Sequence, residues 1–348
     1  MGKSFYGEII MTKIFKSSNL FFLSIFCCFI ISCPQQSHSS NGGGSNNDFN
    51  NYYRQEMRNF VHDISSYAKG LKNGFLIIPQ NGQELLTGNG EEDGNPVLDY
   101  INAIDGMGRE DLFYGYDNDD IITPSEERDY MITFLDIAKN NGIKILVTDY
   151  CWTQSKVDNS YLWNNNKSYI SFAADHRELD NIPVYPVDPY NVSSDNINSL
   201  SNAKNFLYLI NPDTYFIDKN TFINAIDSTN YDILIIDLFY NNLQLSSADL
   251  TQLKTKANGG TRLVIAYMSI GEAEDYRYYW NSGWESNPPD WLAEENNDWP
   301  GNYKVRYWYK GWQDIIFGND SSYLKKIVDT GFDGVYLDII DAFEYFEN

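Results

Sequence analysis

Two apolar runs, residues 263–268 (LVIAYM) and 335–340 (VYLDII), are short, rich in β-branched and aromatic side chains, and end in or run into carboxylates. Runs of this length and composition form strands buried on both faces of a parallel sheet. Their acidic residues then fall at strand mouths, where α/β barrels build their active sites. Six further runs of strand length occur, at 75–79, 100–104, 143–148, 206–210, 233–238 and 304–308. That makes eight, the strand number of a (β/α)8 or TIM barrel, and 348 residues suit one such barrel of roughly 250 residues plus additions.

Helices alternate with the strands, as a parallel sheet requires. Thr123-Pro124 opens one, with Tyr130, Phe134, Ile137 and Ala138 as its apolar stripe and Asn141-Gly142 as its end. Ser246 or Ser247 caps a second, and Ser321 or Ser322 a third that stops at Gly331. Near the start, Met57, Phe60, Val61, Ile64 and Ala68 recur at helical spacing with no strand before them, whereas the last strand has almost no helix after it. The two oddities cancel if the first helix packs after the last strand, which makes the fold class α/β, a circularly permuted (β/α)8 TIM barrel.

Ahead of that domain, the apolar segment 20–32 is too short to span a bilayer, follows Lys13 and Lys16, and ends in Ile30-Ile31-Ser32-Cys33. It reads as a signal peptide over residues 1–32, with translation starting at Met1 or at Met11. The last four residues resemble a bacterial lipobox, which implies acylation of Cys33 and an extracytoplasmic, lipid-anchored protein. Residues 33–50, with a Gly-rich run and almost no apolar side chains, read as a flexible tether to a single domain at 51–348. With Cys27 and Cys28 lost and Cys33 lipidated, Cys151 is left without a disulfide partner.

Net charge is −23, and loss of residues 1–32, which carry three lysines against Glu8, makes the remainder more acidic still. Nucleic acid is disfavoured as a partner, and a polycation such as a deacetylated amino-sugar polymer would be attracted to such a surface, acidity for solubility alone being the plainer reading. His38, His62 and His176 are scattered and no GxGxxG or P-loop is present, so no metal, cofactor or Ser-His-Asp triad is expected.

The motifs YDILIIDLF (231–239), IAYMSIGEAEDYRYYW (265–280), GNYKVRYW (301–308) and GFDGVYLDIIDAFEYF (331–346) resemble glycoside hydrolase family 114. These are TIM barrels that include endo-α-1,4-polygalactosaminidases. In family order those strands come first, followed by segments like GFLIIPQNGQELL and IDGMGREDLFYG, which here stand at 74–86 and 104–115. The resemblance therefore also implies a circular permutation, over most of residues 52–346.

Glycosidic bond cleavage by the usual route needs two carboxyl groups, one donating a proton to the leaving oxygen and one attacking or activating water. The resemblance implies Asp338 as nucleophile and Glu110 as acid/base, in a retaining enzyme acting on an α-linked, galactosamine-type or related polysaccharide. Tyr336 stands where polygalactosaminidases often carry Glu, which bears on the identity of the sugar. Plainer roles are a structural carboxylate for Asp338 and an ion pair with Arg109 or Arg128 for Glu110.

Substrate contacts are expected from Asp237, Asp149, Tyr150, Glu272, Glu274, Arg277 and Asp341 at strand mouths, from the amides of Gln80, Asn81 and Gln83, and from Tyr267 and Trp308 at strand ends. Salt bridges on the rim, solvated amides and aromatic packing are the alternatives. Several carboxylates around one mouth raise one another's pKa, which suits an acid that must stay protonated. A surface protein that holds glycans without cutting them is the competing reading.

Overall fold

The structure, a computed structural model, describes residues 46–347. Eight parallel strands form its centre: β1 (Leu76–Pro79), β2 (Gly106–Glu110), β3 (Lys144–Tyr150), β4 (Ile170–Ala174), β5 (Phe206–Leu209), β6 (Ile233–Asp237), β7 (Leu263–Ser269) and β8 (Gly334–Asp338). They make a five-stranded sheet in the order β1-β8-β7-β6-β5 and a three-stranded sheet β2-β3-β4. Isolated parallel bridges join Gln80 to Gly108 and Ser171 to Asn205, at the two junctions between the sheets. Every residue of β6 and β7 is buried, as expected of parallel strands covered on both faces.

Two of the expected strands are not sheet strands of this kind. Residues 100–104 belong to a short helix, α2 (Leu98–Ala103), and the true strand β2 follows it. Residues 304–308 overlap the short strand Asn302–Val305, which pairs antiparallel with Glu272–Glu274 and Leu292–Glu295 in a separate excursion after β7. That strand ends at Val305, so Trp308 does not end a strand. β4 went unanticipated, and the count of eight agreed only because two omissions matched two errors.

The long first helix, α1 (Asn46–Leu71), buries Met57, Phe60, Val61, Ile64 and Ala68 completely, at about 1.5–3 kcal/mol for each large side chain. It starts at Asn46, inside the stretch expected to be a tether; residues 1–32 and Cys33 lie outside the described residues. It packs on α2, on α8 (Tyr323–Thr330) and on α9 (Phe343–Glu347). Arg54 clamps Glu347 through two hydrogen bonds of 3.0 and 2.9 Å, and Tyr307 donates to the Tyr53 carbonyl at 2.9 Å.

Helix α3 (Ser125–Asn140) buries Met131, Phe134, Leu135 and Ala138, a stripe turned slightly from the expected one because Tyr130 and Ile137 are only half-buried. Thr123 does not cap it; its hydroxyl donates to the Asp111 carbonyl at 2.7 Å. Helix α6 (Ser247–Leu253) has the reciprocal cap expected of Ser246, with Asp249 as the returning partner. Ahead of β6, opposite the carboxyl ends, Lys256 and Asp232 form a fully buried ion pair at 3.0 Å. The same lysine donates to the Ser193 carbonyl, and Asp232 accepts from the Lys204 amide.

Candidate active site

Side chains alternate along a strand, so residues two apart share a face. Tyr336 and Asp338 on β8, Gly108 and Glu110 on β2, and Ile235 and Asp237 on β6 therefore point the same way. A cleft of about 860 Å³ opens at the carboxyl ends, lined by Glu110, Asp237 and Asp338 together with residues from the loops that follow the strands. Eight carboxylates and two guanidinium groups line it.

Asp338 and Glu110, far apart in sequence, are both held by tyrosine hydroxyls. Tyr267 on β7 donates to Asp338 Oδ2 at 2.8 Å, and the Ile339 amide donates to Oδ1 at 2.8 Å. Ile339 has φ +58°, a left-handed conformation unfavourable for a β-branched residue and held here by the turn behind the carboxylate. Tyr150 on β3 donates to Glu110 Oε1, and Asn81 donates to Oε2 at 3.1 Å while accepting from the Glu110 amide. Neither Arg109 nor Arg128 is its hydrogen-bonding partner, since Arg109 donates to Gln83 and Arg128 to Asp129.

Burial pushes the Asp338 carboxyl up to about 7, helped by the nearby Glu110 charge and opposed by the two donors. Asp341 is raised to about 6, again chiefly by burial, with Arg109 working against it. The cleft thus holds carboxyl groups that exchange a proton near neutrality.

Beyond β7 Arg277 bridges Asp237 at 2.6 Å and Glu274 at 2.5 Å; both carboxylates are buried and the arginine is nearly so. Tyr276 donates to Glu274 at 2.6 Å. Glu272 is neutralised by Lys304 at 2.5 Å and accepts from Asn296 at 2.9 Å. The excursion after β7 carries these groups to the mouth, and it adds Trp299, which lines the cleft while 54 % exposed. Tyr276, 58 % exposed, does the same.

Of the residues expected from sequence, Gln80, Asn81, Glu110, Tyr150, Asp237, Tyr267, Glu272, Glu274, Arg277, Asp338 and Asp341 all line this cleft. Gln80 accepts from Tyr208 on β5 at 3.0 Å, closing the floor. Gln83, Asp149 and Trp308 stand elsewhere, Gln83 accepting from Arg109 at 2.6 Å. Asp149 points to the other face of β3, where the Phe113 and Tyr114 amides, Ser160 and Asn164 satisfy it. Trp308 packs among Tyr52, Tyr53, Tyr307 and Phe346.

Tyr208 and Arg177 line the cleft without having been anticipated. The first was hidden within an ordinary apolar strand, and the second follows the strand that was not recognised. Below the carboxylates, Tyr336 is fully buried, and a Cβ on Gly108 would lie 2.0 Å from its hydroxyl. Glycine at 108 is thus the space that Tyr336 occupies.

The fold and site together define an α/β protein of parallel strands with an acid-lined, tyrosine-buttressed cleft at their carboxyl ends, the place where ligands bind in such folds. More particularly, residues 191–348 match glycoside-hydrolase family GH114. The chain is 43% identical over 120 residues to an uncharacterized protein of Thermotoga maritima, covering 34% of this chain and 36% of that protein. It is 38% identical over 179 residues to an uncharacterized protein of Methanocaldococcus jannaschii, covering 51% of this chain and 49% of that one. A Deinococcus radiodurans protein is 38% identical over 128 residues, covering 37% of this chain and 39% of its own length. The chain thus spans about half the length, or less, of the curated relatives it matches.

Proposed function

We propose that this protein is a glycoside hydrolase that cuts an α-linked amino-sugar polysaccharide of the galactosamine type, or a related polymer, through Glu110 and Asp338. The observation that carries the reading is the arrival of these two carboxylates in one cleft, each aimed by a tyrosine hydroxyl. Two carboxyl groups suffice for the reaction. In the retaining form Asp338 attacks the anomeric carbon while Glu110 protonates the leaving oxygen; Glu110 then deprotonates the water that releases the glycosyl group.

For that first step Asp338 must be ionised. A cationic sugar entering a cleft with an excess of carboxylates would favour ionisation of Asp338, so the acidity of the cleft supports both the substrate class and the role. The exposed rings of Trp299 and Tyr276 suit stacking on pyranose faces at the rim. We also propose that the two sheets close through the bridges at Gln80 and Ser171 into a (β/α)8 barrel. The packing of α1 on α8 and α9 supports a circular permutation. Acylation at Cys33 and an extracytoplasmic, membrane-anchored location belong to the same proposal and rest on the sequence of residues 20–33.

The test is release of reducing ends from a panel of amino-sugar and neutral polysaccharides by the wild type, Asp338→Asn and Glu110→Gln. Turnover by the wild type and its loss in both variants is the expected result. Full activity in both variants would remove the pair from the chemistry, and tight binding without turnover by the wild type would make the protein a glycan holder.

A further inference from the structure

The loop after β4 sends Arg177 back across the mouth of β3. Its guanidinium carbon lies 3.9 Å from the centroid of the Tyr150 ring, close enough for a strong interaction with the π face. Two carboxylates hold the guanidinium there: Asp119 accepts from Nε and Nη2 at 2.8 and 2.6 Å, and Asp111 from Nη2 at 2.9 Å. The Gly115 carbonyl accepts from Nη2 at 2.9 Å, and a Cβ on Gly115 would fall 2.2 Å from Asp111 Oδ1. With a longer contact from Nη1 to Asp111 Oδ2 at 3.4 Å, five hydrogen bonds thus fix a planar cation against one aromatic ring.

That ring is the one whose hydroxyl donates to Glu110. A cation on the face of a phenol draws electron density from it, makes its O–H more acidic and strengthens the hydrogen bond it donates. Burial pushes the Tyr150 pKa up; of the charged groups beside it, Glu110 and Asp111 raise it further and Arg177 lowers it. Because Asp111 and Asp119 already balance the guanidinium, a free positive charge offered to substrate is not what this arrangement provides.

We propose that Arg177 is a positioning residue that acts on Glu110 through the ring of Tyr150, polarising the hydroxyl that orients and stabilises the Glu110 carboxylate. The proposal rests on the reading of Glu110 as one of the two reacting carboxyls. Arg177 touches neither that carboxyl nor the cleavage point in this scheme; its influence passes through one phenol.

The test combines a mutant cycle with a spectroscopic measurement that needs no turnover. Arg177→Gln and Tyr150→Phe are each expected to lower kcat about tenfold or more while KM stays within about twofold, because the affected hydrogen bond matters most as charge moves. The double variant is expected to be no worse than Tyr150→Phe alone, since in this proposal the influence of Arg177 passes through the phenol and not through Asp111. Arg177→Lys, which keeps a cation near the ring, is expected to recover part of the loss and serves if the glutamine variant folds poorly.

In parallel, ¹³C-tyrosine placed at position 150 of the full chain reports the polarisation of its oxygen-bearing carbon. In Arg177→Gln that resonance is expected to move toward the value of an unpolarised phenol. If the resonance stays where it is, or the two kinetic losses multiply, the proposal is overturned. A wild type that turns over none of the polysaccharides would sink the hydrolase reading, and the resonance alone would then decide whether Arg177 polarises Tyr150.

Discussion

Removal of the Tyr267 hydroxyl should move the pH dependence of the reaction upward. Tyr267 donates to Asp338 Oδ2 at 2.8 Å, and this bond is one of two that hold the Asp338 pKa down against burial and the Glu110 charge. A hydrogen bond to an ionised group is worth about 1.5–3 kcal/mol, which is about 1–2 pH units. In Tyr267→Phe the Asp338 midpoint should therefore rise from about 7 to about 8–9, toward the low end if water occupies the vacated space.

In the proposed mechanism Asp338 attacks only when ionised, so kcat/KM, which reports the free enzyme, should climb with pH through about 7 in the wild type and through the higher value in the variant. Below both midpoints the variant should be slower by about 10- to 100-fold. Initial rates of reducing-end release across this range are the assay, with Asp338→Asn as the inactive control. A limb that does not move, or moves down, refutes the role given to the Tyr267 bond. A rate that falls with pH through about 7 would instead make Asp338 the proton donor.

Asp338→Asn should stabilise the protein in alkali: with a folded-state value of about 7 against an ordinary 3.8, the wild type loses stability as pH rises between those values. The variant should therefore gain up to a few kcal/mol above pH 7 and little near pH 4, measured by urea unfolding; an equal effect at both pH values would contradict the burial argument. Lys256→Met leaves Asp232 buried without its partner and should cost about 3–5 kcal/mol in the same assay. A loss below about 1 kcal/mol would mean that water reaches the site. Gly108→Ala should cost about 1–3 kcal/mol by driving a methyl into the Tyr336 ring, and less in a Tyr336→Leu background; equal costs in both backgrounds would exclude that collision.

Much of the site was legible because a strand ending in a carboxylate is written locally. β6, β7 and β8 are runs of Ile, Val, Leu and Tyr, and parity along each run tells which acid faces inward. The same parity places Tyr150 inward and Asp149 outward, so of these two expected contacts only Tyr150 reaches the cleft. β2 was illegible because Gly106-Met107-Gly108 has no strand propensity of its own; Gly108 is small because Tyr336, more than two hundred residues away, fills that volume. The apolar run before it, YINAI, has the composition of a strand but forms the α2 turn, since a run of five cannot distinguish the two. Arg177 could not be found by pattern, because its partners lie far off in sequence, Tyr150 at the end of β3 and Asp111 and Asp119 in the loop after β2.

The position of β8 has a consequence for how the chain comes to be folded. β8 lies between β1 and β7, pairing with both, yet it is the last of the eight strands to leave the ribosome. At about 5–20 residues per second the interval after β7 lasts several seconds, during which two parallel edges face each other with nothing between them. Such edges invite foreign strands, so this is when the nascent chain is most open to aggregation and most in need of a chaperone. The strand that ends this exposure is the one that carries Asp338, and the polypeptide therefore acquires that cleft carboxylate in the same event that completes its sheet.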